Sequence, residues 1–89
     1  MRTDITALEM KPGDGVMKLG TALQLNLFAV DRKGRIDLIP GNMAVWSSSD
    51  DRVAEVNRQG RLTPRRVGSL TITATYAGKS VLAAFSVVD

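Results

Sequence analysis

The sequence predicts an all-β antiparallel sandwich, and three observations carry that expectation. Apolar and polar residues alternate over short runs. In residues 69–76, Leu70, Ile72 and Ala74 face one way and Thr71, Thr73 and Thr75 the other. Successive side chains of a strand point to opposite faces, so such a run reads as half-buried strand. Glycine and proline bound these runs instead of interrupting them, as turns require. Nowhere do apolar residues recur at helical spacing over more than two turns. At 89 residues, 44% of them hydrophobic, the chain approaches the roughly 100 residues of a two-sheet sandwich of about seven to nine strands. The expected unit is a single domain over residues 1–89, its core in residues 5–88, forming one module of a larger protein. There is no cysteine, so no disulfide ties the layers.

Residues 5–10 form the first strand. Leu8 and Met10 share a face and Ile5 is out of step with them, which places a bulge near Ala7. Pro12, Gly13, Asp14 and Gly15 break the run, and residues 16–19 make a short edge segment. Residues 21–30 read as one long strand with Leu23, Leu25, Leu27 and Ala29 inward. Phe28 and Val30 are left on the outer face, against a neighbouring domain or beneath a loop. Asp31, Arg32, Lys33 and Gly34 make a turn in which Asp bonds the local backbone and Gly takes the left-handed position.

Residues 35–39 are a short charged strand, punctuated by Pro40, Gly41 and Asn42. Residues 43–47 bring Ala44 and Trp46 to one face, and residues 48–52 are a polar turn. In residues 53–57, Ala54 and Val56 share a side. Gln59 and Gly60 connect this strand tightly to residues 61–63, which Pro64 closes. A hairpin at residues 77–79 joins the strongest strand, 69–76, to residues 80–88, where Val81, Ala83, Phe85 and Val87 share a face. Trp46, the only tryptophan, is expected between the sheets against Leu25, Leu27, Ile72 and Phe85. The serines after it are placed to bond backbone where the strand leaves its sheet.

Four segments together, Trp46-Ser47-Ser48-Ser49-Asp50, Val53-Ala54-Glu55-Val56, Gly60-Arg61-Leu62-Thr63 and Gly68-Ser69-Leu70-Thr71-Ile72-Thr73-Ala74, resemble the bacterial Ig-like domain of group 2. Leu8, Met10 and Pro12 resemble its opening strand, and Leu19-Gly20 with Gln24-Leu25 its second. Pro64 departs from the family's small residue, and the connection over residues 31–43 is longer and more charged than in simple members. The resemblance implies an Ig-like Greek-key sandwich, repeated in tandem in many intimin- and invasin-like surface proteins and found in phage structural proteins. It brings no catalytic residues. Trp46, Ala54, Val56, Gly60, Gly68, Ile72 and Ala74 are the structural core of its motif.

The chemistry-bearing residues are few. Without His or Cys, zinc sites and Ser-His-Asp or Cys-His arrangements are excluded. The run Ser47, Ser48, Ser49 has no base to activate it. Asp31 with Asp37, or Asp50 with Asp51, falls short of the roughly six to eight oxygens calcium takes and reads as turn capping. No cofactor is expected. The formal charge is +3, concentrated between residues 52 and 66, where five arginines meet the single acid Glu55. Arg58, Arg61, Arg65 and Arg66 are the candidate contact for a glycan or other anion. The alternative is a solvated face that protects a sheet edge. No aromatic residues interleave with them, so nucleic acid is not an expected partner.

The expected function is a non-catalytic structural or adhesive module of a bacterial surface or secreted protein, acting as spacer or display unit. A phage virion decoration domain and a weak carbohydrate- or polyanion-binding module are the alternatives. Expected partners are the neighbouring domains of the parent chain and a cell-surface glycan or host protein, with the isolated domain monomeric. The longest apolar run, residues 81–85, is far short of the roughly 20 residues that span a bilayer, so no membrane insertion is expected. Residues 1–4 lack a signal-peptide pattern, so the expected extracellular, cell-surface or virion location needs an export signal outside this chain.

Overall fold

The computed structural model describes residues 5–89; residues 1–4, which lack a signal-peptide pattern, lie outside the described residues. The strands are β1 (Ile5–Lys11), β2 (Gly15–Lys18), β3 (Leu23–Gln24), β4 (Asn26–Asp31), β5 (Ile36–Ile39), β6 (Val45–Ser48), β7 (Ala54–Val56), β8 (Arg61–Pro64), β9 (Gly68–Tyr76) and β10 (Lys79–Val88). Among the described residues the one helical piece is a 3-10 turn at Gly41–Met43. One layer runs β2-β10-β9-β6; the other combines β1-β4-β5 with β3-β8-β7. Neighbours distant in sequence, such as β1 beside β4 and β6 beside β9, give the expected Ig-like Greek-key sandwich.

The second layer shows why there are ten strands among the described residues. Residues 21–30, expected as one strand, are divided at Leu25 into β3 and β4. Below the break β3 pairs with β8, and above it β4 pairs with β1 and β5. Leu25 itself donates its backbone N–H to the Gly60 carbonyl at 2.9 Å. A single chain run therefore changes partners while its inward side chains stay in phase: Leu25, Leu27 and Ala29 are all buried. The long charged connection after Asp31 is β5 itself, which borders the upper half of this run where β8 borders the lower.

The bulge near Ala7 is present, with a register shift between Ile5 and Ala7 that lets Ile5, Leu8 and Met10 all reach the core. The break at residues 12–14 carries the chain from the β1 layer into the other, where β2 pairs parallel to β10. Asp14 Oδ1 accepts the Ala84 N–H at 2.8 Å, satisfying a β10 donor just before β2 pairing begins at Phe85. Leu62 and Ile72 from opposite layers are completely buried, with Leu70, Ala83, Phe85 and Val87 completing the contact between layers. Phe28 and Val30 are partly buried and lie in register with exposed Leu38 and Ile36. Lys11 Nζ stands 5.7 Å from the Phe28 ring centre, a cation-over-ring contact on the outer face.

Asp31 holds the β4–β5 turn as its position implied. Oδ1 accepts the backbone N–H groups of Lys33 and Arg35, each at 2.9 Å, and Oδ2 accepts Arg35 Nε at 3.0 Å. Gly34 takes the left-handed position, φ +79°. The Arg35 backbone hydrogen bond is the largest cause holding the Asp31 carboxyl below its ordinary value; burial opposes it, and the Lys33 bond and Arg35 guanidinium assist. A carboxyl depressed on folding adds stability above its unfolded value of about 3.9, lost as pH falls through the folded value. Asp31→Asn is thus expected to lower the urea midpoint near neutral pH, and the gap to wild type should close below about pH 4. Urea titrations at both pH values check this, and a constant gap would show that the charge is immaterial.

Candidate functional site

The expected site residues lie on two short strands and their connections. β7 and β8 form a hairpin closed at residues 57–60 by Asn57, whose Oδ1 accepts the N–H of Gln59 at 2.9 Å and of Arg61 at 3.0 Å. Gly60 occupies the left-handed region, φ +81°. At the start of β7, Ser48 Oγ donates to the Ala54 carbonyl at 2.8 Å, and Asp50 Oδ1 accepts the Arg52 N–H at 3.0 Å. Ser49 Oγ accepts the Thr71 N–H at 2.8 Å. These serines and Asp50 secure backbone where β6 leaves its sheet, as their sequence implied.

The four arginines fall into two pairs along β8. Arg58 and Arg61 flank the turn at Gly60, whereas Arg65 and Arg66 follow the far end of β8. Three strand residues separate Arg61 from Arg65, a span of about 13 Å at 3.3 Å per residue step. β8 is extended and carries the two pairs to its opposite ends. Arg65 is also engaged: its Nη2 lies 2.8 Å from Glu55 Oε2, between half-exposed side chains. Arg52 meets Asp50 at 3.4 Å in an exposed pair. Pairs in that setting add only about 0–1 kcal/mol. The backbone N–H groups of Arg65 and Arg66 donate to the Val53 carbonyl at 2.8 and 3.2 Å, fixing the connection whatever the side chains meet.

The motif residues divide by depth. Ala54, Ile72 and Ala74 are completely buried and Gly60 is buried; Trp46, Val56 and Gly68 are only partly so. Trp46 packs against the core cluster that holds Leu25, Leu27, Ile72 and Phe85, but is itself only partly buried. Its strand, β6, is the margin of its layer, and its backbone pairs with Ala74. The indole lies over Gly60, and Nε1 donates to the Gly41 carbonyl at 2.8 Å. Sequence reasoning also missed Val53, which is buried although outside β7. A side chain on Gly68 would press against it, with a Cβ 3.0 Å from Val53 Cγ2. Pro64, the departure from the family pattern, is buried and pairs with Ala54 at the end of β8. Its missing donor suits the place where the ladder stops.

Two cavities adjoin these residues. One, about 420 Å³, is an open trough among Asp51, Arg52, Glu55, Arg65 and Arg66, where both signs of charge are present. The other, about 510 Å³, opens between β6 and β7 and is bounded by Trp46, Val56, Asn57 and Arg58 among others. Arg58 is thereby grouped with the indole instead of with Arg65 and Arg66.

Residues 41–82 match the family described as bacterial Ig-like domain (group 2). An S-layer-related protein of Niallia circulans is 34% identical over 85 residues, a match that covers 96% of this chain and 5% of that protein. The crystal structure of an intimin mutant of EHEC O157:H7 superposes with a TM-score of 0.69 at 16% identity, over 92% of this chain and 46% of that one. At that identity the likeness is one of fold. The chain thus spans a small fraction of the S-layer-related relative and about half of the intimin chain. The four segments beginning at Trp46 and ending at Ala74 all fall within the matched stretch, so the match to the bacterial Ig-like domain of group 2 over residues 41–82 rests on the segments that resemble it.

Proposed function

We propose that residues 1–89 are one non-catalytic structural module of a longer, surface-associated protein, acting as a spacer that holds its neighbours apart. The observation that carries this reading is the path of the chain through the sandwich. β1 starts at the Asp31 end, where Ile5 pairs with Asp31. β10 finishes at the other, where Val88 lies beside Lys18 and accepts the Leu19 N–H at 2.9 Å. The body is 42 Å long and 19 by 17 Å across, so entry and exit are separated along its long axis. A module entered at one end and left at the other adds nearly its full length to a chain of copies. The small share of the S-layer-related protein that this chain matches supports a place among other domains, and that relative's name supports a cell-surface setting.

The test is geometric. One, two and four copies of residues 1–89 joined in tandem should show a maximum dimension in small-angle X-ray scattering that rises by nearly 42 Å per copy. A dimension that barely grows, because copies fold back side by side, would remove the spacer reading.

A further inference from the structure

We propose that the cleft between β6 and β7 binds a pyranose sugar bearing a carboxylate, with Trp46 as its platform and Arg58 as its charge partner. The sandwich leaves β6 at the margin of one layer and β7 at the margin of the other. The two layers are open to solvent between these edges, and the resulting cavity of about 510 Å³ falls within the roughly 300–1,000 Å³ of small-molecule sites. Trp46, Val45 and Val56 supply its apolar wall, and Asn42, Asn57 and Arg58 its polar one.

The donors and acceptors of these side chains define the ligand. Asn57 Oδ1 is occupied by two backbone N–H groups, which fixes the amide and leaves its NH₂ as the group available to a ligand. Arg58 is exposed and makes no ion pair among the described residues. Among the described residues no acid lines the cavity, so the cleft offers donors and one positive charge. Its occupant must bring acceptor oxygens and a negative charge.

The indole adds the second requirement. Trp46 Nε1 is spent on the Gly41 carbonyl at 2.8 Å, so the ring meets a ligand through carbon and not through its N–H. It is only partly buried, and its position is held: the bond to Gly41 fixes one edge, and Gly60, lacking a side chain, lets the ring pack against backbone. A rigid aromatic surface accepts a flat apolar face, which the C–H face of a pyranose provides. Hydroxyl and carboxylate oxygens on the same ring then accept from the asparagine amides and from the guanidinium, whose planar fork matches a carboxylate. A neutral sugar would leave Arg58 unused, and an extended acidic peptide would leave the indole uncovered.

The single tryptophan of the chain reports occupancy directly. The 89-residue chain is titrated with glucuronic acid and a galacturonic acid trimer, with glucose and hexaglutamate alongside, while Trp46 fluorescence is followed. The expected result is a saturable change with both acidic sugars. Glucose should bind at least about tenfold more weakly, since a hydrogen bond to a charged group is worth at least about tenfold in affinity. Arg58→Gln and Asn42→Ala, both exposed substitutions, should weaken acidic-sugar binding by a similar factor. Arg32→Gln, in the distant β4–β5 turn, should leave it unchanged. No saturable change with either uronate would overturn the proposal. So would equal affinity for glucose, tighter binding of hexaglutamate, or unaltered binding by Arg58→Gln.

Discussion

Replacing Gly60 with alanine should cost about 3 kcal/mol or more of folding stability, combining a left-handed backbone penalty of roughly 1–2 kcal/mol with overpacking of roughly 1–3 kcal/mol. Gly60 has φ +81°, and a Cβ there would sit 2.7 Å from Trp46 Cζ2, 3.0 Å from Cε2 and 3.1 Å from the Leu25 carbonyl oxygen. Relief would require the indole to move. It is tethered through Nε1 to the Gly41 carbonyl, and Gly41 is itself packed so closely that a side chain there would overlap the Gln59 carbonyl. The Leu25 oxygen belongs to the residue where β3 passes into β4, so its displacement would disturb both halves of that layer. Gly78→Ala isolates the backbone contribution: φ is +77°, with nothing within 4 Å of the added carbon. The two variants should therefore differ by about 2 kcal/mol in urea unfolding, an overpacking cost within the usual range. Equal losses would show that Trp46 yields freely and is not locked. In a small domain with a total of about 5–15 kcal/mol, the Gly60 substitution consumes a large fraction.

The sequence reading succeeded where one local signal decided the outcome. Ile5 is out of step with Leu8 and Met10, and only an extra residue near Ala7 lets all three face inward. Asp31 precedes Gly34 by the spacing of a side-chain-closed turn, and that turn forms. What escaped were features created by contact between distant segments. Nothing in the alternation of residues 21–30 shows that β8 begins beside Leu25, because the inward parity is continuous through the change of partners. Trp46 has the right parity for the core, but parity does not reveal that β6 lies at the margin of its layer. Val53 alternates with neither Ala54 nor Val56 and is buried by the turn beneath Gly68. The arginines are close in sequence and apart in space for the opposite reason: an extended strand between them separates the two pairs. The cleft beside Arg58 belongs to two strands in different layers, so no single segment encodes it.

Ile72→Ala should cost about 2–5 kcal/mol, toward the upper half of that range, whereas Thr73→Ala on the next residue should cost about 1 kcal/mol or less. Ile72 is completely buried in β9, an interior strand of its layer. In register it lies between Ser48 of β6 and Ala83 of β10, so the row holds one large side chain flanked by two small ones. Neither neighbour can fill the space that truncation leaves, and a cavity that cannot collapse is what raises the cost of such changes. Thr73 points to the other face, between Ser47 and exposed Leu82, and its loss removes chiefly a β-branched side chain suited to a strand. Urea midpoints of the two variants test the register of β9 with a single comparison. Because side chains alternate with a period of two, a slip of one residue exchanges the two faces. The costs would then exchange as well, with Thr73→Ala the damaging change and Ile72→Ala the mild one.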